Sequence, residues 1–431
     1  MKDALPATLR ALKHRNFRLF FGGQLISVTG TWMQSVALSW LVYRLTGSSL
    51  LLGTVGFAGQ IPVFLVAPVG GAVADRYDRQ RIVIGTQTAS MLLAFLLAWL
   101  TLGGRVEVWH ILVLATLLGV ANAFDIPARQ SFLVEMVGKE DLMNAIALNS
   151  SMFNGARIVG PAVAGILVAV IGEGWCFFAN GVSYVAVIVG LAMMRVSRRG
   201  RTPPTGSPLA QIVEGFRFVG RTRPIRVILL LLGLVSLVGM PYTVLMPIFA
   251  DRILHGGARG LGILMSATGV GALLAALALA SRTGVRGLGR FVAYSCAGFG
   301  AALVLFAVSR SFWLSTAVLV PVGFCMMLQM ASSNTLIQTM VPDALRGRVM
   351  SLYSMMFMGM APFGAFLGGA LADRLGAPLT VALGGVACIG GAGWFGLNLP
   401  KIRVEARRLI VAQALTGGEP AEAVTAGVAK E

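Results

Sequence analysis

The sequence predicts an all-α integral membrane protein with twelve transmembrane helices arranged as two halves of six, and three observations predict it. The 431 residues are 56% hydrophobic and only 12% charged, where soluble domains run to about a quarter charged. Hydrocarbon about 30 Å thick needs roughly 20 apolar residues per helical crossing. Twelve such stretches are centred near residues 31, 62, 92, 116, 157, 186, 238, 271, 299, 325, 359 and 388. The polar intervals that remain are too short for a soluble domain. They are an N-terminus at 1–17, a basic linker at 197–225 and a tail at 401–431, which leaves six-helix bundles at 18–196 and 226–400.

A net charge of +18 invites a nucleic-acid reading, but the placement of the charges removes it. Of the 35 Lys and Arg, only Arg44, Arg105, Arg252, Arg259, Arg310 and Arg374 fall in the loops of one side, and Arg157 lies inside a crossing. The others share the side of both termini. This asymmetry predicts cytoplasmic N and C termini and accounts for the basic balance without nucleic acid. The opening MKDALPATLRALKHRNFR has no short apolar core followed by a cleavage site, so the first crossing is expected to stay as an anchor.

Taken in order, the first crossing sets Gln24, Trp32 and Gln34 in apolar sequence, and Gln60 lies in the second. The second crossing ends in Gly71-Ala-Val-Ala-Asp75-Arg76-Tyr-Asp78-Arg79-Gln80-Arg81. Gly71 there allows close helix approach. Asp75 is an anion at a helix end, where it can cap amides or meet a neighbouring helix's positive N-terminus. Gln87 follows in the third crossing and Asn122 in the fourth, where Asp125 stands four residues before Arg129 near the inner end. Two readings stay open for these charges. Asp125 with Arg76 or Arg129 builds an inner gate together with the turn after the second crossing, or they are solvated helix-end pairs of small energetic weight.

The fifth crossing contains NSSMFNGARIVGPAVAG, residues 149–165. A charge at membrane depth costs on the order of 3 kcal/mol on insertion scales, so Arg157 is expected to face a cavity or a partner. A helix starting near Asn144 raises it about 20 Å, on a face shared with Phe153, Gly160 and Ala164 and beside Asn154. Pro161 cannot donate to the Arg157 carbonyl, which frees one acceptor and favours a bend. Arg157 either faces the central pathway or is bonded to a neighbouring helix, in the limit purely for packing.

Asn180 and Tyr184 lie in the sixth crossing, Tyr242 in the seventh, and Gln329 and Asn334 in the tenth. In the linker, Leu209, Ile212, Val213, Phe216 and Val219 recur at helical spacing opposite Gln211, Glu214, Arg217 and Arg221. The pattern fits an interfacial helix near anionic lipid, and equally a solvated basic connector. Met136 to Gly165 and Val341 to Gly364 both place a short acidic loop before a helix with glycine and proline, as a six-plus-six duplication would. GGAVADR at 70–76 and GGALADR at 368–374 end on opposite sides of the membrane and read as coincident small-residue packing.

The turn after the second crossing is similar to the G-x-x-x-D-R-x-x-R-x-R loop of the major facilitator superfamily, departing at Asp78, where many members carry glycine. Gly155, Gly160, Pro161 and Gly165 resemble that superfamily's helix 5 antiporter motif. LKHRNFRLFFGGQLISVTGTWM, NAFDIPARQSFLVEMV, ALNSSMFNGARIVGPAVAG and VPDALRGRVMSLYSMMFMGMAPFGA look like the branch containing enterobactin exporters and macrolide efflux proteins. The resemblance spans nearly the whole chain. It implies alternating-access export of a small amphiphilic molecule by a monomer in the bacterial cytoplasmic membrane, without a cofactor and driven by proton exchange. It also implies a cytoplasmic gate at Gly71, Asp75, Arg76, Arg79, Arg81, Asp125 and Arg129.

The residues themselves offer Arg157, Asn154, Gln24, Gln34, Trp32, Asn122, Tyr242 and Gln329 as pathway candidates, many of which are expected to bond between helices instead. Arg157 tilts the preference toward neutral or anionic groups. Asp125 is the interior acid available to carry a proton, and Asp251 sits at the outer end of the seventh crossing. An enzyme is disfavoured, since His14, His110 and His255 are scattered and no nucleophile-base constellation or P-loop is present. Cys176, Cys296, Cys325 and Cys388 lie in apolar stretches without metal spacing. An importer or a transport-inactive sensor on the same fold stays open, as does the substrate.

Overall fold

The structure is a computed structural model that describes residues 7–138, 140–194, 208–281 and 287–415. Twelve helices are long and apolar enough to cross a membrane: α1 (Arg15–Thr46), α2 (Ser49–Arg76), α3 (Arg79–Leu102), α4 (Val108–Val137), α5 (Leu142–Ile171), α6 (Glu173–Ala192), α7 (Arg223–Ile253), α8 (Gly257–Ala280), α9 (Leu288–Val308), α10 (Phe312–Met340), α11 (Leu345–Leu375) and α12 (Ala377–Val411). Each expected centre falls inside its helix. The described residues contain no strand, as a chain in hydrocarbon requires unless it closes a barrel.

Local chemistry sets the turns. α1 stops at Gly47, whose φ of 59° is the left-handed conformation that glycine takes without penalty. Ser48 then caps α2 by accepting from the Leu51 amide, and Asp78 caps α3 by accepting from the Arg81 amide. α11 is interrupted at Gly359 and Met360, just before Pro362, which lacks the amide to continue the ladder.

The packing repeats with a shift of six. α2 lies on α4, α3 on α4 and on α6, and α1 on α6; α8 lies on α10, α9 on α10 and on α12, and α7 on α12. The halves meet through α2 against α11 and α5 against α8, and these two seams exchange under the same shift. An even number of crossings brings the chain back to the side on which it began, here called the terminal side.

Both seams run from mid-depth toward the far side. At mid-depth Gly359 approaches Phe64, and Ser266 donates to the Ile158 carbonyl across 2.8 Å. Farther up, Gly53 lies against Ala365 and Gly369, and Gly165 against Gly262. At the far end Tyr43 donates to Asp251 at 2.7 Å and Arg252 to the Gly47 carbonyl at 3.1 Å. Trp99, Trp109, Trp175 and Trp313 stand exposed around this far end, as interfacial aromatics do.

α7 departs from the uniform crossing that the sequence suggests. Met240 donates to the Val235 carbonyl and Leu254 to the Phe249 carbonyl, both one residue farther than an α-helix allows, so α7 holds two π turns. α12 is helical without interruption past Pro400, within a helix reaching Leu415. A helix at Pro208–Arg221 precedes α7 and is fixed to the start of α11 by Glu214 and Arg348, 2.6 Å apart. Its Val213 and Phe216 remain exposed and Val219 is buried. The side chains of Leu209, Gln211 and Ile212, the linker at 197–207 and the tail beyond Leu415 lie outside the described residues.

Candidate functional site

Between the halves lies a cavity of about 410 Å³, walled by α1, α2, α4, α5, α7, α8 and α11. Apolar and small side chains make most of the wall, with Ser35, Ser39, Gln60, Asn122, Thr243 and Thr268 as neutral polar groups. Arg157 is its charged residue, and no carboxylate lines it among the described residues.

Close backbone approaches build the Arg157 corner. Gly160 receives Trp32: a Cβ there would lie 2.5 Å from the Trp32 Cβ. Trp32 in turn lies under Arg157, with the guanidinium carbon 5.8 Å from the ring centre, within cation–π range. From α8, Gly269 comes so near that a Cβ would sit 3.0 Å from the Arg157 carbonyl oxygen, the acceptor that Pro161 leaves free. α5 stays helical straight through Pro161. Tyr242 completes the corner; it is 1% exposed and its hydroxyl has no hydrogen-bond partner among the described residues.

A second polar cluster lies inside the first half. Asp125 is 3% exposed, accepts from Thr86 and Gln87 at 2.9 Å each, and pairs with Arg129 at 3.2 Å. Arg129 also donates to Gln24 at 3.1 Å and lies over the Phe153 ring. Asp125 thus takes Arg129 of the two arginines weighed for it, and the network joins α1, α3, α4 and α5.

The turn after α2 is exposed. Asp75, 45% exposed, is 3.5 Å from Arg79, which also pairs with Glu135 at 2.9 Å. Arg76 is exposed, and Arg81 reaches Asp78 only at 4.0 Å. Two expectations change here. Capping falls to Asp78 and not to Asp75, because Asp78 is the residue before the first turn of α3. The close approach belongs to Gly70, where a Cβ would lie 2.1 Å from the Ala123 carbonyl oxygen, whereas at Gly71 it would meet open space.

Of the pathway candidates, Arg157, Trp32, Asn122 and Tyr242 line the cavity, and so does Gln60. The others are placed elsewhere. Gln24 serves Arg129, and Gln34 accepts from Asn180 at 2.7 Å between α1 and α6. Asn154 donates to the Ser150 carbonyl of its own helix, and Gln329 is buried in the second half. In the helix 5 motif, Gly160, Pro161 and Gly165 touch α1 or α8, while a Cβ at Gly155 would meet nothing. Sequence reasoning missed Ser35 and Ser39, although they stand three and seven residues after Trp32 and so share its face. Thr86 also escaped notice; its link to Asp125 depends on how α3 meets α4.

A third cluster ties the N-terminal turn, Ala7–Lys13, to the start of α5. Asp141 is 3% exposed and is held by Arg10 at 3.0 Å and by Lys13 and His14 at 2.7 Å, and Ala11 donates its amide to Asn144. Hydrogen bonds from Lys13 and His14 lower the Asp141 carboxyl to a pKa of about 2.

Twelve spans in two pseudo-equivalent halves, with a cavity at their junction, define a multi-pass membrane transporter of the major facilitator type. The family model described as transmembrane secretion effector matches residues 6–419, and the chain belongs to that family. It is 28% identical to the staphyloferrin A transporter of Staphylococcus aureus, over 86% of this chain and 93% of that one. It is 30% identical to the multidrug efflux pump Tap of Mycolicibacterium fortuitum, over 80% and 87%. With the enterobactin exporter EntS of Shigella boydii it shares 26% identity over 94% and 96%. Among solved structures, a POT family transporter in complex with 5-aminolevulinic acid superposes with a TM-score of 0.71 at 10% identity, covering 90% and 96%. A bacterial homologue of the lysosomal transporter Spinster, inward-facing and occupied, superposes with a TM-score of 0.67 at 13% identity, covering 91% and 97%. The chain is a cell-membrane transporter and not an enzyme.

Proposed function

We propose that the protein exports a small amphiphilic molecule from the cytoplasm by alternating access, driven by proton exchange. The observation that carries this reading is the cavity at mid-depth, with seams that close it toward the far side. Relatives named as exporters or efflux pumps support the direction. With the termini cytoplasmic, as the arginine distribution favours, this arrangement is an inward-facing state ready to load.

Asp75, Arg76, Arg79 and Arg81 act as a gate on the cytoplasmic side. In the outward-facing state the α2 end swings toward the second half, and Asp75 leaves water for the positive start of α11. Asp125 is the proposed proton carrier, as the buried acid of the first half that pairs with Arg129.

The test is accumulation of labelled amphiphiles, a macrolide and a catechol siderophore included, in cells expressing wild type, Asp75→Asn or Arg157→Ala, with and without a protonophore. Lower accumulation by wild type, abolished by the protonophore and by each substitution at unchanged membrane levels, is expected. Unchanged accumulation across the panel with wild type confirmed in the membrane would overturn export.

A further inference from the structure

We infer that the cavity contains a carboxylate subsite, made by the Arg157 guanidinium and the Tyr242 hydroxyl beside the Trp32 indole, and that the transported molecule carries a carboxylate on a flat apolar body. This rests on the export reading above and names the substrate class of that site.

The subsite is defined by what lacks a partner. Arg157 has the Trp32 ring for company but no carboxylate, hydroxyl or carbonyl at its guanidinium among the described residues. A cation at membrane depth without a counter-ion is costly, and such side chains ordinarily find an acid. The acids of the neighbouring spans are engaged elsewhere: Asp125 by Thr86, Gln87 and Arg129, Asp251 by Tyr43, and Glu173 by Arg44.

Tyr242 is the independent observation. It comes from the other half of the molecule and lines the same cavity, and its hydroxyl, itself shut off from solvent in this state, is bonded to nothing among the described residues. A buried phenol ordinarily finds a partner for its O–H. One carboxylate answers both deficits, because its two oxygens match the planar guanidinium fork and a remaining lone pair can accept from the phenol.

The surroundings fix the rest of the ligand. Trp32 offers an aromatic face and the apolar wall of α2, α8 and α11 an apolar volume, as a flat hydrophobic body needs. A ligand ammonium would meet Arg157 with no acid to offset the repulsion, so cations are disfavoured. Because Arg157 and Tyr242 belong to opposite halves, a bound carboxylate bridges them.

Three dyes of one fluorophore test this on the purified full chain in lipid nanodiscs: dansylglycine as anion, dansylamide as neutral and dansylethylenediamine as cation. Fluorescence enhancement gives each Kd. Dansylglycine is expected to bind about tenfold or more tighter than the other two, with Arg157→Gln weakening it by about tenfold and leaving dansylamide unchanged. Tyr242→Phe, which removes a single oxygen, is expected to weaken dansylglycine alone by roughly threefold or more. Should Arg157→Gln fail to fold, Arg157→Lys and Tyr242→Phe decide: the lysine variant keeps the preference for the anion but loses part of its strength.

Equal binding of the three dyes, tighter binding of the cation, no dansylglycine binding, or indifference of dansylglycine to these variants would each overturn the subsite. Failure of the export reading looks different. Absence of protonophore-sensitive efflux with anion preference intact would sink export and leave the subsite standing.

Discussion

Gly165 of α5 and Gly262 of α8 stand backbone to backbone across the halves. A Cβ built on Gly165 would lie 2.9 Å from the Gly262 Cα, and one on Gly262 would lie 2.8 Å from the Gly165 Cα. Nothing larger than hydrogen fits while the seam is shut.

Gly165→Val is therefore expected to hold the far side ajar. Transport should fall by about tenfold or more, since a state that cannot close is lost from the cycle, while membrane levels persist. A single cysteine at Ser39, a residue of the cavity wall, should label faster with a membrane-impermeant maleimide added outside. Equal labelling in both backgrounds would mean that this seam is not the seal.

Two adjacent glycines should behave in opposite ways. Gly70→Ala forces a methyl onto the Ala123 carbonyl and should cost about 1–3 kcal/mol through overpacking. Gly71→Ala meets open space and should be neutral or stabilising by up to about 1 kcal/mol through helix propensity. Thermal unfolding of both variants in detergent checks the order, and a less stable Gly71→Ala would contradict it.

Asp125 and Asp75 separate structure from gating. Asp125→Leu strands Arg129 and should cost about 3–5 kcal/mol, the usual penalty for breaking a buried pair. Asp75 lies in water beside Arg79, so Asp75→Asn should cost under about 1 kcal/mol while impairing transport. Melting temperature and efflux, measured on the same preparations, give the comparison; a large stability loss in Asp75→Asn would remove its gating role.

The N-terminal turn should be held by a carboxylate that stays ionised in acid. Asp141 has a lowered pKa of about 2, so its stabilisation is complete above the ordinary carboxylate range and is lost as pH falls through about 2. Hydrogen exchange of residues 7–14, divided by the intrinsic exchange rate at each pH, should therefore be unchanged between pH 7 and pH 5. Asp141→Asn should raise it at neutral pH. Release of the wild-type segment already at pH 5 would show that Asp141 is not the tie.

Hydropathy and charge asymmetry made the twelve spans and the linker break legible, because hydrocarbon imposes length and composition on each helix separately. Arg157 was legible for the same reason: a lone cation in apolar sequence has few places to go. What stayed hidden depends on which faces meet. Gln24 and Gln34 carry the same polar signal as Asn122, yet they bond to Arg129 and Asn180 while Asn122 faces the cavity. Nor does composition tell Gly70 from Gly71, since the difference is the path of α4 across one residue and not the other.

The two π turns of α7 flank Tyr242, one ending before it and one beginning after it. Each inserts one residue beyond the regular ladder, and one residue corresponds to about 100° of rotation. The azimuth of Tyr242 is consequently not the one obtained by counting 3.6-residue turns from either end of α7. Straightening 235–239 into a regular α-helical turn with the residue count unchanged would swing the phenol by about 100° out of register with Arg157. Tyrosine at that position is thus tied to the π turn before it as much as to its own chemistry.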